Sequence, residues 1–145
     1  MPRPILATVH LPALRHNLER LRRAAPDARL WAVVKANAYG HGIERVYSGL
    51  QTASSLALLD IDEARRVRQL GWTRPVLLLE GAFEAADYAG IADMQLDFTL
   101  HTLQQVADLQ SALTSGAALQ ASRVFVKVNT GMNRLGFVPD EAARV

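Results

Sequence analysis

No cysteine occurs in these 145 residues. Disulfides, thiolate nucleophiles and sulfur-ligated metals are therefore excluded, and the chain is compatible with a reducing cytoplasm. Lysine is nearly as scarce: of sixteen basic residues fourteen are arginine, and the two lysines are Lys35 and Lys127. Aromatic residues make up 6% of the chain and do not interleave with its arginine clusters (Arg20, Arg22, Arg23 and Arg29; Arg65, Arg66 and Arg68). Without a nucleic-acid motif beside them, these clusters read as solvated helix faces and nucleic acid is not expected as a partner. No apolar run approaches the roughly 20 residues needed to span a bilayer, and the start Met1-Pro-Arg-Pro leads into neither a signal core nor a transit helix. His10, His16, His41 and His101 lack the spacing of a metal site. A soluble cytoplasmic protein that holds no metal is the expectation.

Half of the residues are hydrophobic and 21% are charged, with a net charge of +2, the balance of a globular domain. Strand-like runs lie at residues 5–9, 30–34, 55–59, 75–79, 96–100 and 124–128. Leu11, Leu14, Leu18 and Leu21 repeat at helical spacing between Pro12, suited to a first turn, and Pro26. A second helix is expected from Ile61 to Leu70, capped by Asp60, with Asp62 and Glu63 in its first turn and Gly71 after its end. A third runs from His101 to Leu113, with Leu103, Val106, Leu109 and Leu113 on one face. From Leu30 the strands recur every 20 to 28 residues with a helix between. That is the βαβ rhythm of a parallel sheet buried on both faces.

An open doubly wound sheet and a closed barrel both fit this rhythm, although no Gly-x-Gly-x-x-Gly follows the first strand. A (β/α)8 barrel needs about 200–250 residues. With about five strand-helix units and a helix start at Val138-Pro-Asp-Glu just before the end, the chain reads as the front part of a larger protein.

In either architecture ligands sit at the carboxyl ends of the strands. Lys35 stands at one such end and Lys127 close to another. Desolvation there makes a lysine amine a nucleophile or base; the bland alternative is two snorkelling lysines in an arginine-rich sequence. After Lys35 comes Ala-Asn-Ala-Tyr39-Gly40-His41-Gly42, a glycine-flanked turn into a helix at Ile43. Its glycines permit close backbone approach to a ligand, its helix-start amides suit an anion, and the Tyr39 phenol could donate to a phosphate. The chemistry fits a phosphorylated carbonyl cofactor attached to an amine.

The run Ala32-Val-Val-Lys35-Ala-Asn-Ala-Tyr39-Gly-His-Gly42 closely resembles the pyridoxal phosphate attachment motif of alanine racemases, and Lys127-Val-Asn-Thr-Gly-Met-Asn-Arg134-Leu-Gly136 resembles their other strong signature. Leu56-Ala-Leu-Leu-Asp-Ile-Asp-Glu-Ala64 and the opening helix are also similar, so the resemblance covers essentially all of residues 1–145. It implies an α/β fold: the N-terminal part of a (β/α)8 TIM-type barrel binding pyridoxal 5'-phosphate, with the remaining strands and a C-terminal β domain absent. It further implies that Lys35 holds the cofactor as a Schiff base and serves as one base, that Tyr39 binds its phosphate, and that Arg134 contacts its phenolic oxygen and the substrate carboxylate. Lys127 would orient Arg134 and is carbamylated in some relatives; a carbamate would pair with the guanidinium where two cations repel, but whether Lys127 is carbamylated stays open.

The implied reaction interconverts L- and D-alanine for peptidoglycan. A second base, a tyrosine from the other subunit of a homodimer, belongs to the missing portion, and neither Tyr47 nor Tyr88 has matching context. His41 is expected to support the turn, and Asn37 and Asn129 to satisfy loop backbone groups. The 145 residues alone are expected to have little or no racemase activity. The alternatives are a non-catalytic pyridoxal phosphate carrier, which would need no Arg134, and a broad-specificity racemase or decarboxylase on the same barrel.

Overall fold

The computed structural model describes residues 3–145; the opening Met1-Pro2 lies outside the described residues. The leucine repeat forms helix α1 (Leu11–Ala24), with Pro12 in its first turn and Arg22 and Arg23 in its last. Five short strands follow, β1 (Trp31–Val33), β2 (Ser55–Leu58), β3 (Val76–Leu78), β4 (Asp97–Leu100) and β5 (Val124–Val126). Between them lie α2 (Lys35–Tyr39), α3 (Ile43–Tyr47), α4 (Ile61–Gln69), α5 (Asp87–Asp93) and α6 (Leu103–Thr114), with α7 (Pro139–Ala142) at the end. Helix α4 starts where its sequence signals place it: the Asp60 carboxylate accepts the Glu63 N–H at 2.8 Å, and the chain turns at Gly71, φ +90°.

All strand pairs are parallel, and the sheet order is β1-β2-β3-β4-β5. A doubly wound sheet reverses direction at its switch point; this sheet never does. It also curls. Four strand spacings of ~4.8 Å would hold β1 and β5 roughly 19 Å apart in a flat sheet, with side chains perpendicular to it. Instead the Trp31 and Phe125 rings meet edge to face with centroids 6.1 Å apart, and the Arg123 guanidinium lies 5.5 Å from the Trp31 ring and 5.8 Å from the Phe125 ring. Residues on the two outermost strands therefore face each other across a concave interior. The chain is the arc of a (β/α)8 barrel.

Burial follows that shape. Every residue of β2 and β4 is buried, as a parallel strand covered on both faces requires. The end strands depart from the expected double burial: all three residues of β5 are exposed, as is Val33 of β1, because each has a sheet neighbour on one side only. The core, with Leu56, Leu58, Val67, Trp72, Val76, Leu78, Tyr88, Ile91 and Phe98, lies between the central strands and the outer helices.

Three further expectations are corrected. The apolar run 5–9 is not a strand; Ile5 and Leu6 are exposed, and the Ala7 carbonyl accepts from the Arg45 side chain at 2.9 Å rather than from a ladder partner. On α6, Val106 and Leu109 pack against the core while Leu103 and Leu113 are exposed, so the apolar face is narrower than its leucines imply. Arg68 is not on a solvated face: its guanidinium donates to the carbonyls of Met94, Trp72, Arg74 and Gln95 and fastens the loop before β3 to the loop before β4. No helix among the described residues is long and apolar enough to cross a membrane.

Candidate active site

Side chains alternate across a strand. Trp31 points into the concavity, so Val33 lies on the same side, as Lys127 does two residues beyond Phe125. Both lysines stand at the carboxyl ends of their strands, Lys127 directly after β5 and Lys35 two residues after β1, where α2 begins. Burial lowers the Lys127 amine from its usual value, the Glu80 carboxylate opposes that, and the charges of Arg134 and Lys35 lower it further. Charges that follow β1 and β5 thus bear on one residue, although β1 and β5 occupy opposite ends of the hydrogen-bonded order.

The Lys127 ammonium donates to the Leu79 carbonyl at the end of β3, an acceptor shared with the Thr99 hydroxyl at 2.9 Å. Behind it the Gln105 amide donates to the Glu80 and Ala82 carbonyls at 2.7 and 2.9 Å, and its oxygen accepts the His101 N–H at 2.9 Å. Sequence reasoning does not single out Gln105; the structure buries it as the brace of the loop after β3.

Arg134 is exposed at the tip of a closed loop. Phe137 comes back alongside β5, its N–H donating to the Lys127 carbonyl at 2.9 Å and its carbonyl accepting the Asn129 N–H at 2.8 Å. Asn129 holds the loop from inside, its side-chain oxygen accepting the N–H groups of Gly131 at 3.0 Å and Asn133 at 3.1 Å. A Cβ at Gly136 (φ +109°) would stand 2.8 Å from the Asn129 nitrogen, so this return admits only glycine without a backbone shift.

The segment after Lys35 is unusual. Ala36, Asn37, Ala38 and Tyr39 have φ of 51°, 55°, 54° and 55°, and Gly40 continues at 83°. Helix α2 is a left-handed turn, a conformation that costs about 1–2 kcal/mol for each L-residue. Such strain persists only where the surroundings enforce it, and it concentrates at functional sites. The turn's own amides are engaged within it, Gly40 N–H donating to Ala36 O, His41 N–H to Ala38 O and Gly42 N–H to Asn37 O; of the amides at the start of α3, that of Ile43 donates to the Asn37 side-chain oxygen at 3.1 Å. What faces outward is Tyr39, 62% exposed. Asn37 does satisfy loop groups, as expected, and His41 lines a cavity of ≈ 220 Å³ with α1.

Residues 9–145 match the family model described as alanine racemase, N-terminal domain. The chain belongs to that family. It is 61% identical over 140 residues to an alanine racemase of Variovorax paradoxus and 59% identical to one of Polaromonas naphthalenivorans, in each case over 97% of this chain and 37% of the relative. Among solved structures, the biosynthetic alanine racemase of Pseudomonas aeruginosa superposes with a TM-score of 0.89 at 40% identity over 98% of this chain and 39% of that one. The alanine racemase of Acinetobacter baumannii gives 0.85 at 32% identity over 92% and 37%. This chain thus spans a little over a third of the racemases it matches.

Proposed function

We propose that these residues form the cofactor-holding part of an alanine racemase that interconverts L- and D-alanine and supplies D-alanine for peptidoglycan. The observation that carries this is the 61% identity over 140 residues to an alanine racemase; the charges of Lys35 and Arg134 bearing on Lys127 at the carboxyl end of β5, and the exposed phenol of Tyr39, support it. That donor set fits pyridoxal 5'-phosphate: an amine for the aldehyde, a phenol for the phosphate and a guanidinium for the ring's phenolic oxygen. When bound, the cofactor takes up the electron pair left on the substrate α-carbon.

Lys35 would hold the cofactor through its amine and would move the α-proton on one face. Tyr39 would donate to a phosphate oxygen. Arg134, planar and permanently charged, holds the substrate carboxylate, a site that a mere cofactor carrier would not need. Lys127 fixes the charge beside Arg134. Burial and the charges of Arg134 and Lys35 lower the Lys127 amine, the direction that favours the neutral amine needed to add to carbon dioxide, which gives R-NH-COO⁻ and one released proton. In this reading the second proton-moving group is a tyrosine of the partner in a homodimer, from the part of the racemase that these residues do not span, and the protein works in the cytoplasm. Tyr88 and Tyr47 are otherwise engaged: the Tyr88 hydroxyl donates to Gln105 O at 3.0 Å, and Tyr47 packs edge to face on Trp72.

Incubation with pyridoxal phosphate, borohydride reduction and peptide mapping tests the assignment. The expected result is a stable adduct on Lys35 and none on Lys127. Equal labelling of both lysines, or of neither, would overturn the view that this chain alone builds the cofactor site.

A further inference from the structure

We infer that Glu63 is a positioning residue for Lys35, with its buried carboxylate holding the left-handed turn that aims the lysine. This rests on the role proposed for Lys35. An acid three residues after an N-cap ordinarily reaches back to the cap's own N–H. Glu63 does something else. It is buried, its Oε1 accepts the Asn37 N–H at 2.6 Å, in the middle of the left-handed turn, and its Oε2 accepts the Leu59 N–H at 3.4 Å, just past the end of β2. One carboxylate thereby ties the turn after β1 to the end of the neighbouring strand.

The same asparagine is gripped from its other side. Its side-chain oxygen accepts from Arg66 Nη2 at 2.7 Å, and Arg66 is anchored by a two-point ion pair with Glu44, 2.9 Å through Nε and 2.7 Å through Nη2. Asn37 is the one residue of the four whose side chain tolerates the left-handed region; Ala36, Ala38 and Tyr39 gain nothing locally from being there. Lys35 lies between β1 and this turn, so the backbone that carries its side chain is held on one side by the sheet and on the other by the turn. Relaxed to right-handed geometry, the turn would withdraw the Asn37 N–H from Glu63 and release the second of those holds on Lys35. The positioning is therefore carried by α4, an element that contributes no group to the cofactor site.

The test compares the chain with its Glu63→Ala and Glu63→Gln variants. Three readouts are followed: amide hydrogen exchange, the pH profile of Lys35 acetylation by acetic anhydride without cofactor, and borohydride-trapped pyridoxal phosphate on Lys35. A hydrogen bond to a charged group holds an amide closed strongly enough that Glu63→Ala should speed exchange at Asn37 by about tenfold or more, with β2 and β4 amides unchanged. The Lys35 acetylation profile should shift and cofactor trapping should slow. Glu63→Gln keeps one acceptor and the volume, and should fall between. If Glu63→Ala does not fold, Glu63→Gln decides alone. Wild-type exchange at Asn37 and an unchanged Lys35 profile in a folded variant would overturn the inference. Failure of the parent chain to trap cofactor would count against the proposed function only, because exchange and acetylation are read without cofactor.

Discussion

Replacing Gly81 with alanine should cost about 3–4 kcal/mol, worked from three contributions. Gly81 is buried just after β3 with φ +73°, and a Cβ there would stand 2.1 Å from the Thr99 carbonyl oxygen and 2.9 Å from Gln105 Nε2. Thr99 belongs to β4, paired on both sides, and its backbone cannot yield. Carbon and oxygen need well over 3 Å, so the loop must retreat by more than about 1 Å. That retreat breaks the Gln105 bonds to the Glu80 and Ala82 carbonyls, at about 1 kcal/mol each, and the positive φ adds about 1–2 kcal/mol for a residue with a Cβ. For a chain of this size Tm should fall by about 10 °C. Urea unfolding followed by Trp72 fluorescence, a ring only 2% exposed, measures the loss. A variant within about 0.5 kcal/mol of the parent, the range of an ordinary surface change, would refute the reasoning.

Two predictions concern pH. Burial lowers the Lys127 amine from its usual value of 10.5, so in the window from the lowered native value up to 10.5 the unfolded chain binds more protons and stability rises with pH. Lys127→Met should flatten that rise in urea midpoints collected across the window, and an unchanged slope would exclude Lys127 as its source. Burial, with Asp108 and Asp87 nearby, pushes the Tyr88 phenol up to about 12 from 10.0. Between those values only the unfolded phenol has lost its proton, so stability should fall as pH rises from 10 towards 12. Ultraviolet titration should show one of the three tyrosines ionising last, and Tyr88→Phe should remove that late step; a late step retained in the variant would refute the assignment.

The strand positions were legible because β-branched and leucine runs alternate with capped helices, and Asp60 caps α4 as its place before Ile61 implies. The run 5–9 misled for the same reason: its residues favour extension, but a strand also needs a partner, and residue type does not name one. The site lysines were legible from where they stand, at the ends of apolar runs. Gln105 and Glu63 were not, because both look like routine helix polars and only their distant partners, the loop after β3 and the turn after β1, give them a task.

By itself the sequence determined what is local: the alternation of strand and helix, the caps, and the motifs that place Lys35, Tyr39, Lys127 and Arg134 at strand ends and in the loops after them. Tertiary structure alone decided that the sheet curls until Trp31 meets Phe125 edge to face, that the charge of Lys35 therefore bears on Lys127, and that Ala36 to Tyr39 wind left-handed. The physical reason is the range of the forces. Backbone preference and periodicity act within a few residues, whereas curvature and strain are set by contacts that form only when β5 and α4 have folded back against β1 and the turn that follows it.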